Sequence, residues 1–385
     1  MIAQVSKRWM FPTLPEPSLF INEGCLPEVQ EEDHSDYADI SSPLWMATRE
    51  PQLNQLVMQL QKLRDELMET PTASCEITFS RSHLEQVRVA FANMIRQGER
   101  MLHRLSQLLC GSFISSYMLR SVVIGEVDTT KERFTISQDL FEEDLYTTTD
   151  IDLGTRQLSK LQFFDGEDWS KASLIANVVD YQPTEPNEYN IHRLITRIKA
   201  EEEIWNKVVD EIFDLDSLVV RDKKLRHLSR YVKDIFGIKL IVGHGVNVSR
   251  LQRGLQRLVW SDEALMQVNL APDICNQRLD FIEVKDYMTG NNAKNSGWEA
   301  IKSVVRWSGK MFEIQIQPLR NFLREREYLT KESHTSFKSN REQVRTQVAE
   351  QIPLFAFYQQ LLRWLFLNPQ APPPTYNAVT VALIA

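Results

Sequence analysis

The run Met311-Phe-Glu-Ile-Gln-Ile-Gln317 alternates apolar and polar residues with the period of a β-strand. Its pleat predicts Phe312, Ile314 and Ile316 on one face, and Met311, Glu313, Gln315 and Gln317 on the other. An apolar face fixes such a strand to a core, so Glu313 is expected on the opposite side. Asp234 comes just before a second β-run, Phe236–Val242, where a carboxylate can reach across the sheet. Two carboxylates on one sheet face are what a hard, oxygen-seeking ion such as Mg²⁺ needs. On these residues alone, two unrelated surface acids are an equally good account.

Charge reverses around Asp234. Between Arg221 and Trp260 stand ten basic residues, among them Lys223, Lys224, Lys233 and Lys239, against Asp222 and Asp234. That makes +8 in a chain whose net charge is −8. Lys and Arg hold phosphate oxygens while a metal neutralises developing charge, so such a window suits polyphosphate. A solvated basic helix face is the bland alternative.

The order of motifs is more specific. Asp234-Ile-Phe-Gly-Ile-Lys-Leu-Ile-Val is followed by Asp280-Phe-Ile, Asn295-Ser-Gly297-Trp298-Glu-Ala-Ile-Lys302, Phe312-Glu313-Ile-Gln315-Ile-Gln317, Glu325-Arg-Glu-Tyr328, and His334 through Lys338. This series resembles the synthetase domain of the RelA/SpoT guanosine-polyphosphate synthetases over roughly a third of the chain. The resemblance implies a Mg²⁺-dependent transferase that moves pyrophosphate from ATP to the 3′-hydroxyl of GDP or GTP, releasing AMP. Asp234 and Glu313 match its metal-binding acids, with Glu313 also placed to orient or deprotonate the attacking hydroxyl. Trp298 stands where the family's Tyr stacks on guanine. Lys223, Lys224 and Lys233 are matched to ATP phosphates, and Lys239, Lys302, Gln315 and His334 fall at other substrate-contacting positions.

The chain also departs from that pattern. Lys239 replaces an Arg and loses bidentate geometry; Ala300 and Lys302 replace a Ser and a His; Gln317-Pro318 replaces Arg-Thr. Two other functions therefore stand beside the first: a pyrophosphokinase acting on the 3′ end of an RNA such as tRNA, and a non-catalytic nucleotide-binding scaffold. The adjacent His-Asp pair of the family's hydrolase half is lacking, so that activity is not expected.

These residues need an α+β frame. The spacing predicts strands at 236–242, 280–285, 301–307 and 311–317, the last two joined by a Ser308-Gly309 hairpin turn. Helical patterns fall at about 248–259 and 318–333. Together they make a mixed β-sheet, nucleotidyltransferase-like, with its helices on one face. A long amphipathic helix is expected over 187–213, its stripe running from Ile191, Leu194, Ile195 and Ile198 to Ile212. A helical and mixed N-terminal region comes before it. Leu53–Leu63 has helical spacing, and a longer helix runs from Ser82, as its N-cap, to about Cys110. His83 and His103 lie on that helix, read as having no metal-compatible partner one turn away. From Ser121 to Pro183, β-like runs alternate with acidic loops; Glu142, Glu143, Asp144, Asp150 and Asp152 are of a type that binds metal but show no EF-hand spacing, and they read as a solvated loop.

The expected divisions are an irregular acidic segment over 1–45, the helical and mixed region over 46–185, the synthetase-like domain over 186–345, and a C-terminal helix with an extended Pro-rich tail over 346–385. With 43% apolar and 25% charged residues the composition is that of a globular chain. A pI of about 5.6 argues against a surface devoted to nucleic acid or anionic membrane. Cys25, Cys75, Cys110 and Cys275 form no CxxC pair and read as reduced thiols. Without a signal peptide or a membrane span, a cytoplasmic protein is expected, its N-terminal helices available to a protein partner or to self-association.

Overall fold

Strands do form at the four places where alternation predicts them, and they occupy one side of a larger sheet. The structure, a computed structural model, describes residues 7–11, 42–70, 74–164, 168–215, 231–288, 297–329 and 343–384. The chain opens with β1 (Lys7–Phe11), α1 (Pro51–Glu69), β2 (Cys75–Ser80), α2 (Arg81–Phe113), β3 (Tyr117–Val127) and β4 (Arg133–Leu140). Then come α3 (Asp144–Thr147), α4 (Asp150–Leu158), β5 (Phe163–Phe164), β6 (Trp169–Ser170), β7 (Ala172–Pro183), β8 (Ile191–Ile198) and α5 (Glu201–Ile212). The remainder is β9 (Phe236–Val242), α6 (Gly245–Arg257), α7 (Asp262–Gln267), β10 (Asp280–Asp286), β11 (Ile301–Trp307), β12 (Lys310–Pro318), α8 (Leu319–Leu329), α9 (Pro353–Phe366) and β13 (Val379–Ile384).

Two compact units result, one of Met1–Ile95, Ala200–Lys233 and Phe337–Ala385, the other of Arg96–Lys199 and Asp234–Ser336. In the first, β1, β2 and β13 make a three-stranded parallel sheet with β2 in the centre. Its core takes the α1 stripe Leu53, Leu56, Val57, Leu60 and Leu63, all fully buried. Trp205 of α5 stacks on Phe366 with ring centroids 3.7 Å apart. A bidentate pair, Arg345 to Asp210 at 3.0 and 2.9 Å, is buried in the same unit.

The second unit carries an eight-stranded mixed sheet in the order β10-β11-β12-β9-β8-β7-β3-β4. Only β12 and β9 pair in parallel; every other neighbour is antiparallel. Phe236, Ile238, Leu240, Phe312, Ile314 and Ile316 are all buried and form its apolar face. Ser303, in register with Ile314, bonds Gln252 of α6 on that face. Lys239, in register with Gln315, bonds Glu325 of α8 on the other.

Several expectations are corrected. Helices flank both faces of the sheet, because α8 folds back over the polar side of β12. The single helix over 187–213 is a strand, β8, followed by α5. A bulge between Ile191 and Arg193 lets helix-like spacing sit in a strand, and fully buried Thr196 belongs to its inward face. Strand pairing also crosses the expected division at 185/186, since β3, β4 and β7 belong to the same sheet as β8–β12. The long N-terminal helix starts at Arg81, with Ser80 rather than Ser82 facing its first turn (3.5 Å to the His83 amide). The tail is not merely extended: Val379–Ile384 pairs with Cys75–Ser80. Nor is the N-terminal segment wholly irregular, for Lys7–Phe11 is a strand. Among the described helices none is long and apolar enough to cross a membrane.

Gly98 in α2 lies against the Phe236 ring; a Cβ there would meet a ring carbon at 1.9 Å. Ala normally gains about 1 kcal/mol over Gly inside a helix. Here Gly98→Ala is expected to cost about 1–3 kcal/mol through overpacking. Urea unfolding checks the sign, and adding Phe236→Leu should recover part of the loss.

Candidate functional site

The pleat of β12 sets the site. Glu313 lies opposite Gly237 of β9 and Val304 of β11, while Gln315 lies opposite Lys239 and Lys302. Lys302 Nζ reaches diagonally to Glu313 Oε2 at 2.8 Å, and the Glu313 side chain is only 12% exposed. Lys239, Lys302, Glu313 and Gln315, four residues read as functional from the sequence, thus share one face.

Glu325 of α8 gathers much of the rest. Its Oε2 accepts from Lys239 Nζ at 2.9 Å and from Gln317 Nε2 at 3.3 Å, and its Oε1 accepts from the Trp298 indole N–H at 2.7 Å. Gln315 donates to Gln317 at 2.7 Å and so joins the network. Trp298 also packs edge-on against Tyr287, centroids 5.4 Å apart. Its loop is held by Asn321, which donates to the Glu299 carbonyl at 2.6 Å. Burial alone would raise the Glu325 carboxyl. The Lys239 charge, with hydrogen bonds from Lys239, Trp298 and Gln317, outweighs burial and holds it below the ordinary value.

Asp234 lies just before β9. Its Oδ2 accepts from Lys199 Nζ at 3.0 Å, where Lys199 follows β8. Arg197, exposed and in register with Gly237, projects on the face of Glu313. Both cations were hidden inside the expected 187–213 helix; only the strand period would have revealed them. Asp234 and Glu313 offer hard oxygen donors of the kind Mg²⁺ takes, and each already holds a cation in the form of a lysine ammonium.

The basic window is not one patch. Lys233 is half-buried and belongs to the first unit, whereas Lys223, Lys224 and His334 lie outside the described residues. Arg250, Arg253 and Arg257 are on α6, which covers the opposite sheet face; with Phe113 and Tyr189 they line an open groove of ≈ 520 Å³. Arg250 pairs with Glu188 there and lies 5.2 Å over the Tyr189 ring.

A second polar cluster went unread. Glu99 precedes His103 by one turn of α2, so His103 does have a metal-compatible neighbour at that spacing. Asp150, expected in a solvated loop, is 3% exposed and completes the group. Burial, then the Asp150 carboxylate, pushes the Glu99 carboxyl up to about 7.

No protein-family model matches the chain, and no curated protein matches it. Among solved structures it is similar to the small alarmone synthetase 1 from Bacillus subtilis bound to its product pppGpp. That match has 15% identity and a TM-score of 0.24, covering 43% of this chain and 78% of the other. A second structure of the small alarmone synthetase 1 from Bacillus subtilis matches at 15% identity and a TM-score of 0.23, covering 42% and 82%. Both likenesses are distant in sequence and in backbone; what the site can do is decided by its own side chains.

Glu325→Gln should destabilise the protein at pH 7 by about 1–2 kcal/mol, as a part-buried charge-assisted network is lost. A depressed carboxyl contributes stability above its unfolded value. The gap between wild type and Glu325→Gln should therefore shrink as pH falls below the ordinary 4.5. Urea unfolding from pH 7 to pH 3 measures it, and a gap that widens in acid contradicts the assignment.

Proposed function

We propose that the face around Glu313 binds ATP and a guanine nucleotide and transfers pyrophosphate to the acceptor's 3′-hydroxyl. The observation that carries this reading is the shared face itself. Glu313 sits there beside Lys302, with Lys239, Gln315 and Trp298 adjoining, in the order expected from the sequence. In the reaction the 3′-oxygen attacks the β-phosphorus of ATP. The bond from that phosphorus to the α–β bridging oxygen breaks, and AMP leaves.

Glu313 orients the attacking hydroxyl and takes its proton. Asp234 and Glu313 are the residues that would hold Mg²⁺, which neutralises charge on the phosphates when bound. Lys302, Lys239 and Arg197 bind phosphate oxygens by charge-assisted hydrogen bonds, aided on the family pattern by His334. The Trp298 indole stacks on the acceptor base, and Gln315 contacts substrate. Catalysis is then mostly positioning and charge neutralisation.

A second reading, nucleotide binding without turnover, is favoured by one specific feature. Glu325 neutralises Lys239 and pins the Trp298 indole, both of which the reaction needs.

AMP release from ATP and Mg²⁺, with GDP, GTP, adenine nucleotides or bulk tRNA as acceptor, separates the two. Glu313→Gln should lower the rate about 10²–10⁴-fold while the protein stays folded. Trp298→Ala should raise KM for the acceptor about 10–100-fold, the worth of one stacked base. A folded wild type that binds GTP or ATP calorimetrically yet releases no AMP with any acceptor selects the second reading.

A further inference from the structure

Away from that face, the second unit buries a polar group that the proposed reaction does not use. Glu99 and His103 lie one turn apart on α2, and Asp150 opens α4. Their exposures are 4%, 0% and 3%. One ligand-capable atom from each falls within 4.8 Å of the others. His103 Nε2 is 3.3 Å from Asp150 Oδ1, yet neither Nε2 nor Asp150 Oδ2 has a hydrogen-bond partner among the described residues. Two buried carboxylates side by side, one of them with an unsatisfied oxygen, are costly unless a positive charge lies between them.

The surroundings hold these three groups in place. His103 Nδ1 is 3.2 Å from the hydroxyl of Tyr181, a fully buried residue. With Nδ1 donating to that oxygen, the Nε2 lone pair faces the carboxylates; this is the outer partner that metal-bound imidazoles require. Glu99 Oε1 accepts the Asp150 backbone N–H, and Asn177 donates to the Asp150 carbonyl at 2.6 Å. Asn177 is itself fixed by Ser121, whose hydroxyl donates to it at 2.8 Å.

We propose that Glu99, His103 and Asp150 bind a divalent transition-metal ion of the zinc, iron or manganese class. One imidazole and two carboxylates are a mixed nitrogen and oxygen set, which suits these ions. Ligand bonds of about 2.0–2.2 Å put neighbouring ligand atoms roughly 3.4 Å apart. The His103–Asp150 separation of 3.3 Å already meets that spacing. The site is closed to solvent, so its role is structural: it ties α4 to α2 and, through Asn177, to the β7–β3 pair.

The test uses the full chain stripped with a chelator, then titrated with Zn²⁺ and separately with Co²⁺. The stripped wild type should take up one Zn²⁺ per chain and unfold several degrees higher with it. Co²⁺ should give visible bands of nitrogen and oxygen ligation without sulfur-to-metal charge transfer. Asp150→Asn and His103→Gln, both close in shape to the native residues, should each weaken Zn²⁺ at least 10-fold. A folded, stripped wild type that binds less than one-tenth of an equivalent overturns the proposal. So does a thiolate band in the Co²⁺ spectrum, or Zn²⁺ affinity unchanged in both variants. None of these readouts depends on AMP release, so failure here and failure of the pyrophosphokinase reading are told apart.

Discussion

β12 is hydrogen-bonded along both edges, in parallel to β9 and antiparallel to β11, and this locks its pleat. A slip of one residue would turn Glu313 and Gln315 into the core and expel Phe312, Ile314 and Ile316, which are completely buried. Hydrophobic burial on one side of the sheet therefore decides which polar groups meet on the other. Lys302 and Lys239 come from the two neighbouring strands, and α8 brings Glu325 down onto the same face. The site is a by-product of register, and register is enforced by apolar packing beneath it.

The charges on that side are largely matched within the molecule: Lys302 with Glu313, Lys239 with Glu325, Lys199 with Asp234. Such half-exposed pairs add little net stability, because solvent and salt screen them. Their larger effect is to fix where each side chain points. Glu325 differs from the other acids in bonding to three donors from separate segments: β9, β12 and the loop before β11. That makes it a register pin for the Trp298 loop as well as a counter-ion.

What the sequence disclosed followed the clarity of its periods. The alternation in Phe236–Val242, Ile301–Trp307 and Met311–Gln317 has no helical rival, and Ser308-Gly309 supplies the two positive-φ residues of the hairpin turn (47° and 72°). Ile191, Leu194, Ile195 and Ile198 mislead because a bulged strand and a helix space apolar residues alike there. Missing that strand concealed Arg197 and Lys199, and with them two cations near the expected acids. The pairing of β3 and β7 with the rest of the sheet is long-range and has no local signature. Glu99 and His103 show helical spacing that can be read directly, but Asp150 joins them only through the fold, and an acidic neighbourhood disguised its burial.

Glu325 is an anion tethered in place, and so Lys239 is never offered empty to a solute. A phosphate arriving there competes with a carboxylate whose effective concentration is on the order of millimolar or higher. One weakly held, singly charged group loses that exchange. A chain of phosphates that contacts several cations at once can win it, and in doing so releases the Trp298 indole that the same carboxylate was holding. On the proposed reading the face would discriminate by charge density before shape: inorganic phosphate and monophosphates would be disfavoured, and arrival of a polyphosphate would be coupled to freeing of the ring.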